Sequence, residues 1–306
     1  MLRFILRRLL VTVPLVLVVV SATWGLIRLA PGNFYTGERA LPAAIQNNLR
    51  EKYGLNRPWY VQYGKMLSNT LHGDFGTSLK YEGQSVNAIL ARTLPVSAGV
   101  GFFAYLLALA VGITIGSIAA VKQNSAADYS SMTLAMLGIS LPNFVLGPLL
   151  VLLFSLTMYW FPPARWEGIP SRSMVLPVIT LSAIYMAYIA RLTRSGMLEV
   201  LRADYIRTAR AKGLNERDIV FKHAFRGGLL PVVSFSGPAL AILITGTVVV
   251  ERIFALPGLG LYFINANLNR DEPLIIGIVA FISIVVLIFN LIVDIAYGFI
   301  DPRIRY

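Results

Sequence analysis

The stretch "TLPVSAGVGFFAYLLALAVGITIGSIAAV", residues 93–121, contains no charged side chain. A helix that crosses the hydrocarbon core of a bilayer needs about 20 consecutive apolar residues, so this run is long enough to span a membrane. The whole chain has the same character, because 56% of its 306 residues are hydrophobic and only 14% are charged. Ordinary soluble domains contain roughly 25% charged residues. The sequence therefore predicts an all-α, polytopic membrane protein.

Five more stretches on either side of this run have the length and composition of membrane spans. The six predicted spans are 9–27, 93–121, 132–160, 173–190, 227–250 and 273–293, the last continuing toward residue 300. Prolines inside several of them are compatible with a spanning helix, because neighbouring helices can satisfy the backbone groups that proline leaves without a partner. The first run is longer than the apolar core of a signal peptide and no A-x-A site follows it, so we expect it to remain in the protein.

The distribution of Lys and Arg predicts how the chain is oriented. With a cytoplasmic N-terminus, the inner side holds Arg3, Arg7, Arg8, Lys122, the cations between positions 191 and 226, Arg303 and Arg305. The short outer loops then hold Arg165, Arg172, Arg252 and Arg270. Cations accumulate in the cytoplasmic loops of membrane proteins, so both termini are predicted to be cytoplasmic. The net charge of +12 then reflects topology, and no nucleic-acid partner is expected.

Only the segment 31–93 has the character of a soluble region. It contains the turn signals "PGN", "NRP" and "HGDFG", and Ile45, Leu49 and Tyr53 recur at the spacing of one helix face. We expect this segment to form a small cap on the outer face of the membrane.

The motifs of several common catalytic sites are absent from the sequence. It contains no G-x-x-x-x-G-K-[ST] to bind ATP phosphates, no H-E-x-x-H and no G-x-S-x-G. There is no cysteine, and the two histidines, His72 and His223, are predicted to lie on opposite sides of the membrane, where they cannot share a metal. The sequence therefore predicts a protein that is not an enzyme and has no cofactor or metal of its own.

Three residues interrupt the apolar spans in a way that suggests contact with water. Pro142 and Asn143 lie within "SLPNFVLGP" in the third predicted span, and Ser236 lies in the fifth. Polar groups at membrane depth need either a protein partner or water. We predict a water-accessible path lined in part by these residues, with hydrogen bonds between neighbouring helices as the alternative.

Small residues predict where two spans pack closely. Gly112 and Gly116 form "GITIG" in the second predicted span, a spacing at which two helix backbones can approach each other. The alternative is a chance occurrence in a chain with 25 glycines.

Two carboxylates near the spans are candidates for specific roles. Asp294 is an intramembrane carboxylate near the cytoplasmic end of the sixth predicted span, where we expect a structural ion pair with Arg191 or Arg194 in preference to a proton relay. Glu251, in "ERIFALPGLG", is expected at the outer boundary of the fifth span. For Glu251 a structural role and a functional role are equally compatible with the sequence.

A basic segment, "YIRTARAKGLNERDIVFKHAF" (residues 205–225), lies between the fourth and fifth predicted spans. Residues at helical spacing lead into it: Leu198, Leu201, Tyr205 and Ala209. Gly213 indicates a break, through either a positive φ or a close approach, and Asn215 with Asp218 has the pattern of a new helix start. The segment could bind nucleic acid, bind lipid, set the topology or dock another protein. A loop that only sets topology needs none of this order, so docking is favoured.

Within this segment "ARAKGL", followed by "KHAFRGGLLP", resembles the cytoplasmic coupling loop of membrane subunits of ATP-binding-cassette importers, in the peptide-importer branch. The general family pattern is Glu-Ala-Ala, three residues, Gly, and later Ile-x-Leu-Pro. Arg207 and Thr208 stand where that pattern has Glu and its first Ala, whereas Ala209 and Gly213 match it. The later positions also depart from the general pattern: His223, Phe225 and Arg226.

The resemblance extends over nearly the whole chain. "RLAPGNFYTGERALP", "HGDFGTSLKY", "VVVERIFALPGLG", "LNRDEPL" and "IDPRIRY" are similar to the B-type permease subunits of oligopeptide importers. This resemblance implies a type I importer permease fold: an N-terminal helix at 1–30, the external segment 31–93, a five-helix core at 94–300 that contains the coupling loop 191–228, and a cytoplasmic C-terminus at 301–306.

The resemblance also implies an assembly in a bacterial cytoplasmic (inner) membrane. The expected partners are a second homologous permease subunit, two cytoplasmic ATPase subunits that bind ATP and Mg²⁺, an external peptide-binding protein, the peptide substrate and membrane lipid. The expected function is to form half of the peptide path of an ATP-driven oligopeptide importer. The alternatives are a dipeptide, nickel or glutathione importer, and the external binding protein is expected to set peptide preference.

The coupling role is expected of a short helix at about residues 203–214. Ala209 and Gly213 are predicted at its closest approach to an ATPase subunit, because small residues one turn apart leave room for another surface. The residues expected to take part in coupling are Tyr205, Arg207, Thr208, Ala209, Arg210, Lys212, Gly213 and Leu214.

A channel or secondary carrier would carry more charge within the membrane, and an intramembrane hydrolase would contain a catalytic constellation.

Overall fold

Helices form nearly all the regular structure in the computed structural model, which describes residues 2–30, 51, 54 and 56–300. The other regular feature among these residues is one antiparallel bridge between Thr77 and Ser85. The all-α prediction is confirmed. The helix predicted around Ile45, Leu49 and Tyr53 lies outside the described residues.

The longer helices begin and end as follows: α1 at Leu2–Leu29, α2 at Trp59–Leu71, α3 at Val86–Val121, α4 at Ala126–Ser140, α5 at Asn143–Leu150 and α6 at Val175–Leu201. A π-helical turn, Val151–Thr157, continues α5, and a 3-10 turn, Arg172–Met174, precedes α6. Shorter elements follow: α7 at Asp204–Ala211, α8 at Glu216–Asp218, a π-helical turn at Ile219–Ala224 and α9 at Phe225–Gly228. The remaining helices are α10 at Leu230–Ile244, α11 at Val248–Ile253, α12 at Leu259–Asn269 and α13 at Glu272–Ile300.

Five helical stretches within the described residues are long and apolar enough to cross a membrane: Leu10–Leu29, Val86–Val121, Arg172–Leu201, Leu230–Ile253 and Glu272–Ile295. A sixth candidate is the pair formed by Ala126–Ser140 and Asn143–Thr157, which is bent by 102°. The six predicted spans are therefore present if the bent pair counts as one crossing. The helix that contains the fourth predicted span, 173–190, is longer than expected, because α6 continues through Arg191 and Arg194 to Leu201.

The prediction of a single helix over 132–160 is wrong, and Pro142 explains why. Leu141 has an extended conformation, with ψ 112°, and Pro142 follows with ψ 145°. The ring of a proline disfavours the helical conformation in the residue before it, so α4 ends here and α5 begins in a new direction. The polar residue Asn143 is consequently the first residue of α5.

The chain divides into two compact units. The first comprises Val96–Pro257 with the chain from Ile288 onward, and the second comprises Leu2–Pro95 with Gly258–Leu287. The second unit thus combines residues from the predicted N-terminal helix, external segment and core. The divisions fall within α3 at Pro95 and within α13 after Leu287.

In the first unit, α3 packs closely on α6 through small residues. A Cβ atom added to Gly112 would lie 2.8 Å from the carbonyl oxygen of Met186, and one added to Gly116 would clash with the carbonyl oxygen of Ala190. The close contact predicted from "GITIG" is confirmed. The buried side chains beside it include Ala104, Ala108 and Ile189.

In the second unit, a buried carboxylate joins two segments that are far apart in sequence. Asp271, directly before α13, is fully buried and accepts a hydrogen bond from the hydroxyl of Ser78. It also accepts bonds from the backbone amides of Leu79 at 3.0 Å and Lys80 at 3.2 Å. The motifs "HGDFGTSLKY" and "LNRDEPL" therefore form one structural feature, with Asp271 holding the loop.

Candidate functional site

The basic segment folds as a helix, a break and a second helix, as its sequence predicts. Its first helix, α7, covers Asp204–Ala211 and is shorter than the expected 203–214. Ala203 is extended, with ψ 150°, so the helical spacing seen from Leu198 to Ala209 belongs to two helices separated by a break.

One side chain anchors α7. Ile206 is fully buried and is the only buried residue of this helix. Ile219, which begins the π-helical turn after α8, is fully buried as well. Burying a side chain of this size contributes about 1.5–3 kcal/mol. The only signal for Ile206 in the sequence is that it is an isolated β-branched apolar residue in a charged stretch.

The break at Gly213 results from its backbone conformation. Its φ is +80°, and no atom lies within 4 Å of the position that a Cβ would occupy. The amide of Gly213 donates to the carbonyl oxygen of Arg210 at 2.9 Å, and the amide of Leu214 donates to the carbonyl oxygen of Ala209 at 3.3 Å. These two bonds form a Schellman motif, in which glycine supplies the left-handed residue after the helix. Of the two explanations in the sequence analysis, positive φ is correct within this chain, and the surface at Gly213 is open.

The second helix begins where its capping pattern predicts. The side-chain oxygen of Asn215 accepts a hydrogen bond from the amide of Asp218 at 2.8 Å. This bond satisfies one of the backbone donors that the first turn of a helix leaves without a partner. The turn between α7 and α8 is therefore defined on both sides by local hydrogen bonds.

Ion pairs surround this turn. Arg210 donates two hydrogen bonds to Glu216, at 2.7 Å and 3.2 Å, and these hold the pKa of the Glu216 carboxyl below its ordinary value. Arg207 contacts Asp204 at 3.3 Å. Such exposed pairs contribute little to stability, roughly 0–1 kcal/mol. Their role is to set the shape and charge of the surface.

The surface of the basic segment combines cations with exposed apolar groups. Tyr205 is 53% exposed, Leu214 is 37% exposed and Phe221 is 65% exposed. Ala209 is half-buried, whereas the other residues expected to take part in coupling are exposed: Arg207, Thr208, Arg210, Lys212 and Gly213. Aromatic side chains and Arg are enriched in protein interfaces. Phe221, the most exposed of the three apolar groups, was not among the residues expected to take part in coupling.

The polar residues of the spans have different environments. Ser236 on α10 accepts a hydrogen bond from the hydroxyl of Tyr105 on α3 and donates one to the carbonyl of Val232 at 2.7 Å. Asn143 is half-buried, and the structure shows no hydrogen bond from its side chain to any described residue. Pro142 is exposed at the bend. A bond between helices therefore accounts for Ser236, whereas the described residues provide no hydrogen-bond partner for the Asn143 side chain.

The expected pairing of Asp294 with Arg194 is wrong. Arg194 donates two hydrogen bonds of 2.7 Å to Asp128, whose carboxylate is buried in the first turn of α4. Arg191 donates instead to the sulfur of Met136, at 2.7 Å. The sequence does not predict the role of Asp128, because the pairing depends on how α4 packs against α6.

Glu251 is buried inside the first unit. Its side chain is 3% exposed and accepts a 2.7 Å hydrogen bond from the hydroxyl of Ser97. It also lies against Gly246, whose φ of +87° breaks the chain between α10 and α11. This geometry favours a structural role for Glu251. Elsewhere in the described part of the chain, no group of three or more His, Asp and Glu residues could hold a metal.

Two family models match most of the chain, one at each end. Residues 112–306 match the family described as "Binding-protein-dependent transport system inner membrane component". Residues 1–100 match the family described as "Binding-prot-dependent transport system membrane comp, N-term".

Several relatives are similar over their full length. The chain is 46% identical to the Oligopeptide transport system permease protein OppB of Haemophilus influenzae and 47% identical to the protein of that name from Salmonella typhimurium, over 100% of each chain. It is 43% identical to the Dipeptide transport system permease protein DppB of Bacillus subtilis, over 100% of this chain and 98% of that one.

A solved structure supports the fold. The structure titled "Crystal structure of an amino acid ABC transporter with histidines" matches with a TM-score of 0.51 and 16% identity, covering 69% of this chain and 93% of that one. At this level of identity the match concerns the fold alone.

Proposed function

We propose that this chain, which belongs to the family of inner membrane components of binding-protein-dependent transport systems, is a permease subunit of an ATP-driven oligopeptide importer. The observation that carries the proposal is the 46–47% identity, over all 306 residues, to proteins named as oligopeptide permeases. The apolar helices provide a membrane domain for such a subunit. A dipeptide importer is the second candidate, because the Bacillus subtilis protein named for dipeptides is 43% identical. Nickel and glutathione importers remain further alternatives.

In this proposal α7 couples the membrane domain to a partner ATPase. The turn at Gly213 has open space above it, and Ala209 lies one helical turn before it. Tyr205, Leu214 and Phe221 add exposed apolar area on which a partner surface could pack. ATP and Mg²⁺ would bind to two ATPase subunits, and this chain would hold no cofactor. A second permease subunit and an external peptide-binding protein would complete the assembly.

The same proposal places part of the peptide path at the bend in the third span. Asn143 supports this placement, since its side chain has no hydrogen-bond partner among the described residues and Pro142 beside it is exposed. Ser236 gives the path weaker support because its hydroxyl is bonded to Tyr105.

Copurification and reconstitution test the proposal. The tagged chain is purified from membranes in mild detergent, the bound proteins are identified by mass spectrometry, and the assembly is placed in vesicles with its external binding protein. We expect two ATPase subunits and a second permease subunit, and ATP hydrolysis that is stimulated by peptides longer than two residues. Stimulation by dipeptides, nickel or glutathione alone would support the corresponding alternative. Copurification without any ATPase subunit would exclude an importer subunit.

A further inference from the structure

A cleft of about 320 Å³ lies within the second unit, between α2 and the beginning of α13. Six of its lining residues describe its chemistry: Arg57, Lys65, Met66, Asp74, Glu272 and Ile276. The volume is near the lower end of the range for small-molecule sites, roughly 300–1,000 Å³. The cleft is therefore large enough for a small polar group together with the beginning of an apolar chain.

The cleft lies beside the ends of two candidate membrane spans. Leu29 ends one candidate span and Glu272 begins another. Trp59 and Tyr60, in the first turn of α2, are 64% and 61% exposed. Tryptophan and tyrosine are enriched at the level of lipid headgroups, where their rings meet both apolar and polar surroundings. These residues indicate that α2 lies at headgroup level, beside the start of α13.

Side chains of both charges line the cleft: Glu51, Arg57, Lys65, Asp74 and Glu272. Arg57 and Lys65 come from the beginning and the middle of the α2 side, and the structure pairs neither of them with a carboxylate among the described residues. Glu272 forms a long ion pair with Arg28, at 3.8 Å. One oxygen of Asp74 accepts a bond from the amide of Gly76 at 2.9 Å. The cleft thus offers cations to a phosphate, and it offers an ammonium group two carboxylates that each already have one partner.

Asp271 holds one wall of the cleft in place. Leu79 and Glu272 both line the cleft, and Asp271 bonds to the amide of Leu79 while directly preceding Glu272. Four donors converge on this buried carboxylate, from Ser78, Leu79, Lys80 and Leu274. A carboxylate bound by several donors holds its surroundings rigidly. The wall is therefore set before any ligand arrives.

We propose that this cleft binds the phosphoethanolamine headgroup of a membrane phospholipid. The phosphate lies toward Arg57 and Lys65, and the primary ammonium lies toward Glu272 and Asp74. Met66 and Ile276 supply apolar contact for the beginning of the acyl chains. A choline headgroup has no N–H to donate to the carboxylates, and a glycerol headgroup has no positive charge, so both should bind more weakly.

Cysteine protection tests this proposal in the full-length chain. The protein has no cysteine, so an introduced thiol is the only one present. Asn69→Cys places it in the cleft, and Ser68→Cys places it on the neighbouring exposed position of α2, outside the cleft, as a matched control. Both variants are reconstituted in vesicles of phosphatidylcholine alone or mixed with phosphatidylethanolamine or phosphatidylglycerol, and treated with a water-soluble maleimide.

We expect phosphatidylethanolamine to slow labelling at position 69 and to leave position 68 unchanged. With the lipid at about ten times its Kd, labelling should slow about tenfold. Adding Lys65→Gln to Asn69→Cys should remove the protection. The control Lys80→Gln changes an exposed cation outside the cleft and should preserve it.

Four results would overturn the proposal. They are equal protection in phosphatidylcholine alone, equal protection by phosphatidylglycerol, protection that survives Lys65→Gln, and protection that appears only when an extracytoplasmic protein is added. The last result would identify a protein-docking site. Dissolved phosphoethanolamine, tested on the chain in detergent, distinguishes the source of the headgroup. Protection by that compound equal to protection by vesicles would contradict the membrane as the source.

Discussion

Arg210 and Glu216 form a two-bond ion pair across the turn at Gly213, with Nε–Oε1 and Nη2–Oε2 distances of 2.7 Å and 3.2 Å. The pair connects the last turn of α7 to the first residue of α8. The backbone at Gly213 already defines this turn, so the pair shapes its charged edge. The different consequences of changing the glycine and changing the ion pair can therefore be measured separately.

Filling the open space at Gly213 should prevent coupling. Gly213→Trp should insert in the membrane normally yet lose peptide uptake and ATPase stimulation, because the indole occupies the surface on which a partner would pack. Gly73→Trp is the matched control, since Gly73 also has a positive φ, +70°, and open space, but follows α2 and lies outside the basic segment. Gly213→Asn should retain most uptake because Asn tolerates this backbone conformation. Normal uptake by Gly213→Trp would rule out the coupling assignment.

Removing the Arg210–Glu216 pair should have a mild effect. Both side chains are largely exposed, so Arg210→Ala should reduce stability by less than about 1 kcal/mol and uptake only slightly. The folded-state pKa of Glu216 is lowered, so the pair contributes above the unfolded carboxyl pKa and is lost only as pH falls through the folded value. Near neutral pH the Glu216 carboxyl stays ionised, so small changes of pH should not alter the contribution of this pair to the free energy of unfolding. A double-mutant cycle with Glu216→Ala measures this coupling, and a large coupling energy would contradict the expectation.

Breaking the Asp128–Arg194 pair should be costly. Asp128→Ala leaves the Arg194 guanidinium without its carboxylate partner in a partly buried site, and removing one member of a buried pair costs about 3–5 kcal/mol. Adding Arg194→Met should recover part of this loss by removing the unpaired charge. Thermal unfolding in detergent measures both variants. Equal and additive losses would show that the two side chains do not depend on each other.

The contact between α3 and α6 should depend on Gly116. A Cβ at Gly116 would clash with the carbonyl oxygen of Ala190, so Gly116→Ala should destabilise the protein by about 1–3 kcal/mol. Gly25, on α1, has nothing within 4 Å of its Cβ position. Gly25→Ala should therefore be neutral or slightly stabilising, because Ala favours the helix by about 1 kcal/mol over Gly. The same thermal measurement compares them, and equal effects would contradict the packing explanation.

Water access should differ between the two polar positions in the spans. Asn143→Cys should react with a small water-soluble thiol reagent, whereas Ser236→Cys should react slowly because Tyr105 lies against it. Tyr105→Phe in the second variant should leave labelling slow, because the ring still covers the site. Labelling is measured in the assembled transporter in its resting and nucleotide-bound states. Protection of Asn143→Cys in every state would exclude it from a water-filled path.

The sequence determined features that depend on neighbouring residues. The apolar runs predicted the spans because the length of a run sets whether a helix can cross the bilayer. Gly213 and Asn215 predicted the break and restart of the basic segment, since a positive φ and a helix cap both act within a few residues. "GITIG" predicted a close helix contact because two glycines four residues apart lie on one face of their own helix. The motif did not identify the partner helix.

Only the tertiary structure decided which distant residues meet. Arg194 pairs with Asp128 because α4 packs on α6, and Asp271 bonds to Ser78 across nearly 200 positions of sequence. Ile206 is buried although its neighbours are charged. The energies of these contacts depend on the distance between the partners and on their burial. The separation of the partners along the sequence predicts neither quantity. The positions of the apolar runs can therefore be identified from the sequence, whereas the partners of the buried charges are determined only by the packing of the helices.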